Sequence, residues 1–156
     1  MKKMFTKKNK LNNTVVSKCV FVFLSILVLF STNSCESPSS VVLIKGLKCE
    51  YRTNPLGIDN INPKVSWRVV DKEQTRGQKQ IAYQVLVASN LADLTRDIGD
   101  VWNTGKVKSD QSVNVVYQGD NLIAGKQYFW KVKVWDVSGK VSNWSNIAHF
   151  SMGMLK

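Results

Sequence analysis

The run Tyr128-Phe129-Trp130-Lys131-Val132-Lys133-Val134-Trp135 constrains this chain more than any other feature. Extended backbone sends successive side chains to opposite faces, so Tyr128, Trp130, Val132 and Val134 share one face. Phe129, Lys131, Lys133 and Trp135 share the other. Two more runs alternate in the same way. Val65, Trp67 and Val69 oppose Ser66, Arg68 and Val70; Tyr83, Val85 and Val87 oppose Ala82, Gln84, Leu86 and Ala88. Runs rich in aromatic and β-branched residues at period two are strands. Weaker strand patterns are expected at Val42–Tyr51, Val101–Lys108, Ser112–Tyr117 and Ala148–Met152, with turn chemistry at Asn54-Pro55-Leu56-Gly57, Asn60-Ile61-Asn62-Pro63, Gly119-Asp120-Asn121 and Ser138-Gly139. A single helical turn is expected at Leu91–Ile98, with Asn90 as its N-cap and Gly99 as its stop.

About seven short strands predict an all-β, antiparallel β-sandwich over residues 42–156. Each strand is expected to bury one face, with Trp67, Tyr83, Tyr128, Trp130 and Val132 in the core. Leu122 precedes Tyr128 by six residues at a strand start, which resembles the tyrosine corner of fibronectin type III and immunoglobulin-like domains. There the phenol bonds back to the backbone while its ring caps the core.

Charge is concentrated at the amino terminus. The chain has 22 basic and 11 acidic residues, net +11; six lysines and no acid lie in residues 1–34, leaving 16 against 11, or +5, beyond. That thin excess does not describe a nucleic-acid partner. The basic stretch Lys2 to Lys18 is followed by the apolar Val20–Phe30, too short for the roughly 20 residues that a spanning helix needs. Residues 1–34 therefore read as a signal peptide. Ser34-Cys35 resembles a bacterial lipoprotein processing site, although Thr32 stands where that motif usually has Leu. The resemblance implies lipid on Cys35, a polar spacer over residues 35–41, and an exported protein anchored on the periplasmic side or the cell surface. Ordinary secretory cleavage with Cys35 incidental is the other reading. Cys49 would then be alone in the fold, as a small buried hydrophobe.

Chemistry-bearing patterns are sparse. One histidine, His149, and three dispersed cysteines assemble no metal set, and no cofactor is expected. Nucleophile-elbow, phosphate-loop and zinc-protease motifs are missing from the sequence. The acids sit mostly in turns, where they stabilise local backbone. Asp97 and Asp100 are assigned such a role. The remaining candidate is a surface: Leu86, Phe129 and Trp135 fall on the face turned from the core. This face is read either as a docking or glycan-stacking patch, or as a Trp135 shielded by neighbouring lysines and the last hairpin.

From Leu47 onward the chain is similar to the N-terminal fibronectin-type-III-like module of bacterial α-L-rhamnosidases. The resemblance is carried by Cys49-Glu50-Tyr51, Asn54-Pro55-Leu56-Gly57-Ile58-Asp59, Ser66-Trp67-Arg68, Gln80–Ser89, Val101–Val107, Tyr128–Val132, Trp135-Asp136, Trp144-Ser145 and Phe150–Leu155. It implies that further β-domains and a helical barrel follow, and that the barrel holds the acids that cleave terminal α-L-rhamnosides with inversion. Lys156 is reached before any such barrel, so no catalytic residue transfers to this chain. A truncated product, a split reading frame and a free-standing module all fit. The chain is expected to be a non-catalytic spacer and packing module whose partners are downstream rhamnosidase domains and, through its lipid, a membrane. Binding of rhamnosylated glycans, through Trp102, Trp135 and Trp144, and a protein-interaction role are the alternatives.

Overall fold

A computed structural model describes residues 42–71 and 79–154. The leader, Cys35 and the polar spacer lie outside the described residues. The elements in chain order are β1 (Val42–Cys49), β2 (Lys64–Asp71), β3 (Gln80–Ala88), α1 (Leu91–Thr95), β4 (Trp102–Asn103), β5 (Val115–Val116), β6 (Gln127–Asp136) and β7 (Ala148–Ser151). They form two antiparallel sheets, one of order β1-β2-β5 and the other β4-β3-β6-β7. The seven-strand sandwich read from the alternation is the observed architecture.

Its centre is the set of inward side chains expected from that alternation. Trp67 comes from the first sheet, and Tyr83, Val85, Val87, Tyr128, Trp130, Val132 and Val134 come from the second; all are buried. Trp67 meets Tyr83 edge-on, with ring centroids 5.2 Å apart. Tyr128 stacks on Phe150 at 5.7 Å. Edge-to-face and offset rings let large apolar surfaces pack without opposing their quadrupoles. The Tyr128 hydroxyl accepts a hydrogen bond from the Ile123 N–H at 2.9 Å, as the tyrosine-corner resemblance implied.

The two tryptophans differ in their polar ends. The Trp67 indole N–H donates to Gln80 Oε1 at 2.9 Å, and Gln80 Nε2 donates to the Gln111 carbonyl at 2.6 Å. The Trp130 indole N–H is buried with no acceptor.

Several strands are shorter than the sequence suggested, for local reasons. β1 stops at Cys49 because Glu50 and Tyr51 both take positive φ and turn the chain back. Only Trp102–Asn103 pairs regularly within the expected Val101–Lys108; Thr104 Oγ1 takes the Val85 N–H, and ladder pairing returns as a bridge at Val107. Asn114, at φ 56°, interrupts Ser112–Tyr117 and leaves Val115–Val116 as β5. The helix has its expected Asn90 cap, whose side chain accepts from the Asp93 N–H at 2.8 Å, but ends at Thr95.

The expectation of one buried face per strand fails in β3. Leu86 and Ala88, on the face turned from the main core, are buried in a second cluster with Leu94 of α1, against which Phe129 and Trp144 pack. The helix covers that end of the sheet.

Candidate functional site

The outer face of the β3–β6 pair was the surface singled out in the sequence. Register places Phe129 opposite Ala88, Lys131 opposite Leu86, Lys133 opposite Gln84 and Trp135 opposite Ala82. Leu86 is 1% exposed beneath α1 and is no part of a free surface. Phe129 is half-buried, with its ring 6.2 Å from His149 of β7. Trp135 is half-buried under lysines: Lys106 Nζ lies 4.5 Å from its ring centroid and Lys133 Nζ 5.7 Å.

The segment after β6 extends this arrangement. Ser142 and Ser145 direct their hydroxyls at β6, accepting from the N–H groups of Val134 and Val132 at 3.0 and 3.1 Å. These bonds lay Trp144 over the sheet, where Lys133 Nζ and Lys131 Nζ stand 4.5 and 4.9 Å from its ring centroid. Lys131 is itself buried; it donates to the Leu94 carbonyl and pairs with Asp97. The lysine hydrogen bond holds the Asp97 carboxyl below the usual carboxylate range. The face is therefore a ladder of ammonium groups and indoles, each ammonium held against an aromatic quadrupole. It ties α1, β6 and the last segment together. Sequence reading left shielding of Trp135 as one of two alternatives and missed the burial of Lys131; lysines at alternate positions among outward aromatics were the available signal.

Several carboxylates are committed to local structure. One Glu50 oxygen accepts from the Lys64 N–H at 2.7 Å and from Asn60 Nδ2 at 3.1 Å. Asp100 accepts from the N–H and hydroxyl of Ser89 at 2.9 and 2.6 Å. Asp136 accepts from the N–H groups of Ser138 and Lys140 at 2.9 and 3.0 Å. Glu50 and Asp59 border one open crevice of about 310 Å³, yet Glu50 is engaged in closing the turn. Among the described residues no group of three or more His, Cys, Asp or Glu side chains could hold a metal ion. Cys49 is buried, and desolvation, with the charge of Glu50, pushes its thiol up to about 12. It packs as the small hydrophobe expected. Burial, followed by the charge of Asp120, also raises the Tyr117 phenol, which donates to the Asp120 carbonyl at 2.6 Å.

A further region was invisible in the strand pattern. Met152 bridges Ile58 in parallel, and the N–H of Gly153 donates to the Ile58 carbonyl at 2.8 Å while its own carbonyl accepts from Gly125 at 3.2 Å. Three segments thus meet where the chain leaves β7. Leu56, Ile123 and Met154, one on each segment, are exposed.

Comparison with known proteins places this arrangement. The family described as "Rha78A-like, N-terminal immunoglobulin domain" matches residues 44–156. An α-L-rhamnosidase of Formosa agariphila is 37% identical over 146 residues, which are 93% of this chain and 15% of that protein. A second from the same organism is 45% identical over 104 residues, 67% of this chain and 11% of the relative. Among solved structures, α-L-rhamnosidase from Dictyoglumus thermophilum superposes with a TM-score of 0.71 at 41% identity, covering 78% of this chain and 13% of that one. The Streptomyces avermitilis α-L-rhamnosidase complexed with L-rhamnose gives 0.67 at 41% identity, covering 72% and 10%. The chain spans between about a tenth and a seventh of the length of each of these proteins.

Proposed function

The chain belongs to the Rha78A-like N-terminal immunoglobulin domain family, and on that premise we propose that it is a non-catalytic accessory domain of an α-L-rhamnosidase, packing against the domains that do the chemistry. The observation that carries this reading is the match itself: it takes in nearly the whole described sandwich and a small share of each enzyme. The site geometry agrees. A glycosidase needs two carboxyl groups about 5–10 Å apart across a cleft. Here Glu50, Asp97, Asp100 and Asp136 are engaged by backbone or by lysine. Glycan stacking on Trp135 or Trp144 is disfavoured, because ammonium groups stand over their rings.

The test is deletion of the matching 146 residues from the Formosa agariphila relative. The reading expects a remainder that melts several degrees lower and keeps kcat/KM on an aryl α-L-rhamnoside within about twofold. A loss of kcat by orders of magnitude at unchanged melting temperature would place a reacting group in this domain and overturn it.

The anchor is a separate part of the proposal and rests on sequence: export through residues 1–34, lipid on Cys35, and attachment to a membrane that the spacer holds at a short distance. Radiolabelled fatty acid should enter the protein and be lost in Cys35→Ser. Labelling that survives the substitution refutes the anchor.

A further inference from the structure

We propose that the end of the sandwich around Leu56, Ile123 and Met154 is the face on which the next domain of the enzyme docks. This rests on the accessory-domain reading. Met154 and Leu56 are, at 82% and 76%, the two most exposed large apolar side chains among the described residues, and Ile123 is 59% exposed. They stand on three segments that converge on one point, the exit from β7. Apolar side chains this exposed mark a contact when they gather on one surface.

Where the chain leads decides the occupant. The family occupies the amino-terminal position, and at least 85% of each matched rhamnosidase lies outside the match. In those relatives the polypeptide continues beyond this domain, and the last described residues lie beside this surface. Gly153 is held by backbone bonds on both sides: to the Ile58 carbonyl at 2.8 Å on one side and from the Gly125 N–H at 3.2 Å on the other. Ser151 and Met152 add bonds to the carbonyls of Pro55 and Lys126 at 3.1 and 2.9 Å. Gly153 itself is squeezed: a Cβ there would fall inside contact distance of the Asp59 carboxylate and 3.4 Å from the Gly57 carbonyl. The domain that follows starts beside the exposed Leu56, Ile123 and Met154 and covers them.

The experiment grafts all 156 residues in place of the matching segment of the Formosa agariphila relative. Leu56→Cys and Ile123→Cys are made singly, in the graft and in the chain alone. Val137→Cys, exposed at the opposite end of β6 and about 30 Å of strand away, is the control. Thiol modification by iodoacetamide is followed at each site by peptide mass. The proposal expects positions 56 and 123 to react at least about tenfold more slowly in the graft than in the chain alone, with position 137 unchanged. Equal rates at 56 and 123 in the two contexts overturn it. Turnover is read separately. An active graft with unprotected positions leaves the accessory reading intact and refutes the docking face; rhamnoside cleavage by the chain alone refutes the accessory reading.

Discussion

Trp67→Phe and Trp130→Phe remove the same atoms from one core, and the structure gives them different costs. Both indoles are buried, at 1% and 0% exposure. Shrinking a buried indole to a phenyl ring loses about 1–2 kcal/mol through transfer and a residual cavity. In Trp67→Phe the loss also strips Gln80 Oε1 of its 2.9 Å donor, inside a network that continues to the Gln111 carbonyl. An acceptor left buried and unpaired costs about 1–3 kcal/mol more. In Trp130→Phe the opposite happens: a buried N–H without an acceptor disappears, which returns about 1–3 kcal/mol. The expected totals are a cost of about 2–5 kcal/mol for position 67 and, for position 130, anything from a gain of about 2 kcal/mol to a cost of about 1 kcal/mol. With a urea m-value of about 1–1.5 kcal/mol/M, suited to a domain of this size, the two midpoints should differ by at least about 1 M. Urea unfolding at pH 7 followed by far-ultraviolet circular dichroism measures this directly. Equal midpoints, or a lower one for Trp130→Phe, would refute the assignment of the two polar ends.

Other outcomes follow from the same geometry. The Lys131 hydrogen bond depresses the Asp97 carboxyl, so its contribution is present above the unfolded-state value of about 3.9 and is lost as pH falls through the lower folded value. The urea midpoint should therefore drop with pH below about 4 in the wild type and less steeply in Asp97→Asn. At pH 7 that variant should lose about 1 kcal/mol, held down by the half-exposed carboxylate; no change at either pH would refute the pairing. Tyr128→Phe removes the acceptor of the Ile123 N–H and should cost about 1–2 kcal/mol in the same assay, whereas an unchanged midpoint would show that the corner bond is replaced by solvent. Cys49, its thiol pushed up to about 12, should resist a thiol reagent at pH 8 until urea unfolds the domain; fast native labelling would contradict its burial.

Alternation made the inner face legible. Every residue assigned to the core, from Trp67 and Tyr83 to Tyr128 and Trp130, is buried, because period two depends only on local backbone geometry. The outer face was harder to read. Leu86 looked free since nothing near it in sequence announces that Leu94 of α1 folds back over it. Strand ends were misjudged where Glu50, Tyr51 and Asn114 adopt positive φ, a choice imposed by tertiary contacts and uncommon for residues with a Cβ. The exit surface was unreadable for the same reason: Leu56, Ile123 and Met154 lie in three separate stretches that only folding brings together.

Turnover by the isolated chain tests the central claim most directly. The purified protein, at micromolar concentration and confirmed as folded by circular dichroism, is incubated with 4-nitrophenyl α-L-rhamnoside. The account predicts release of nitrophenol no faster than in buffer. Saturable release that tracks the protein through purification and is abolished in Glu50→Gln or Asp59→Asn, the two acids that border one crevice, would contradict it.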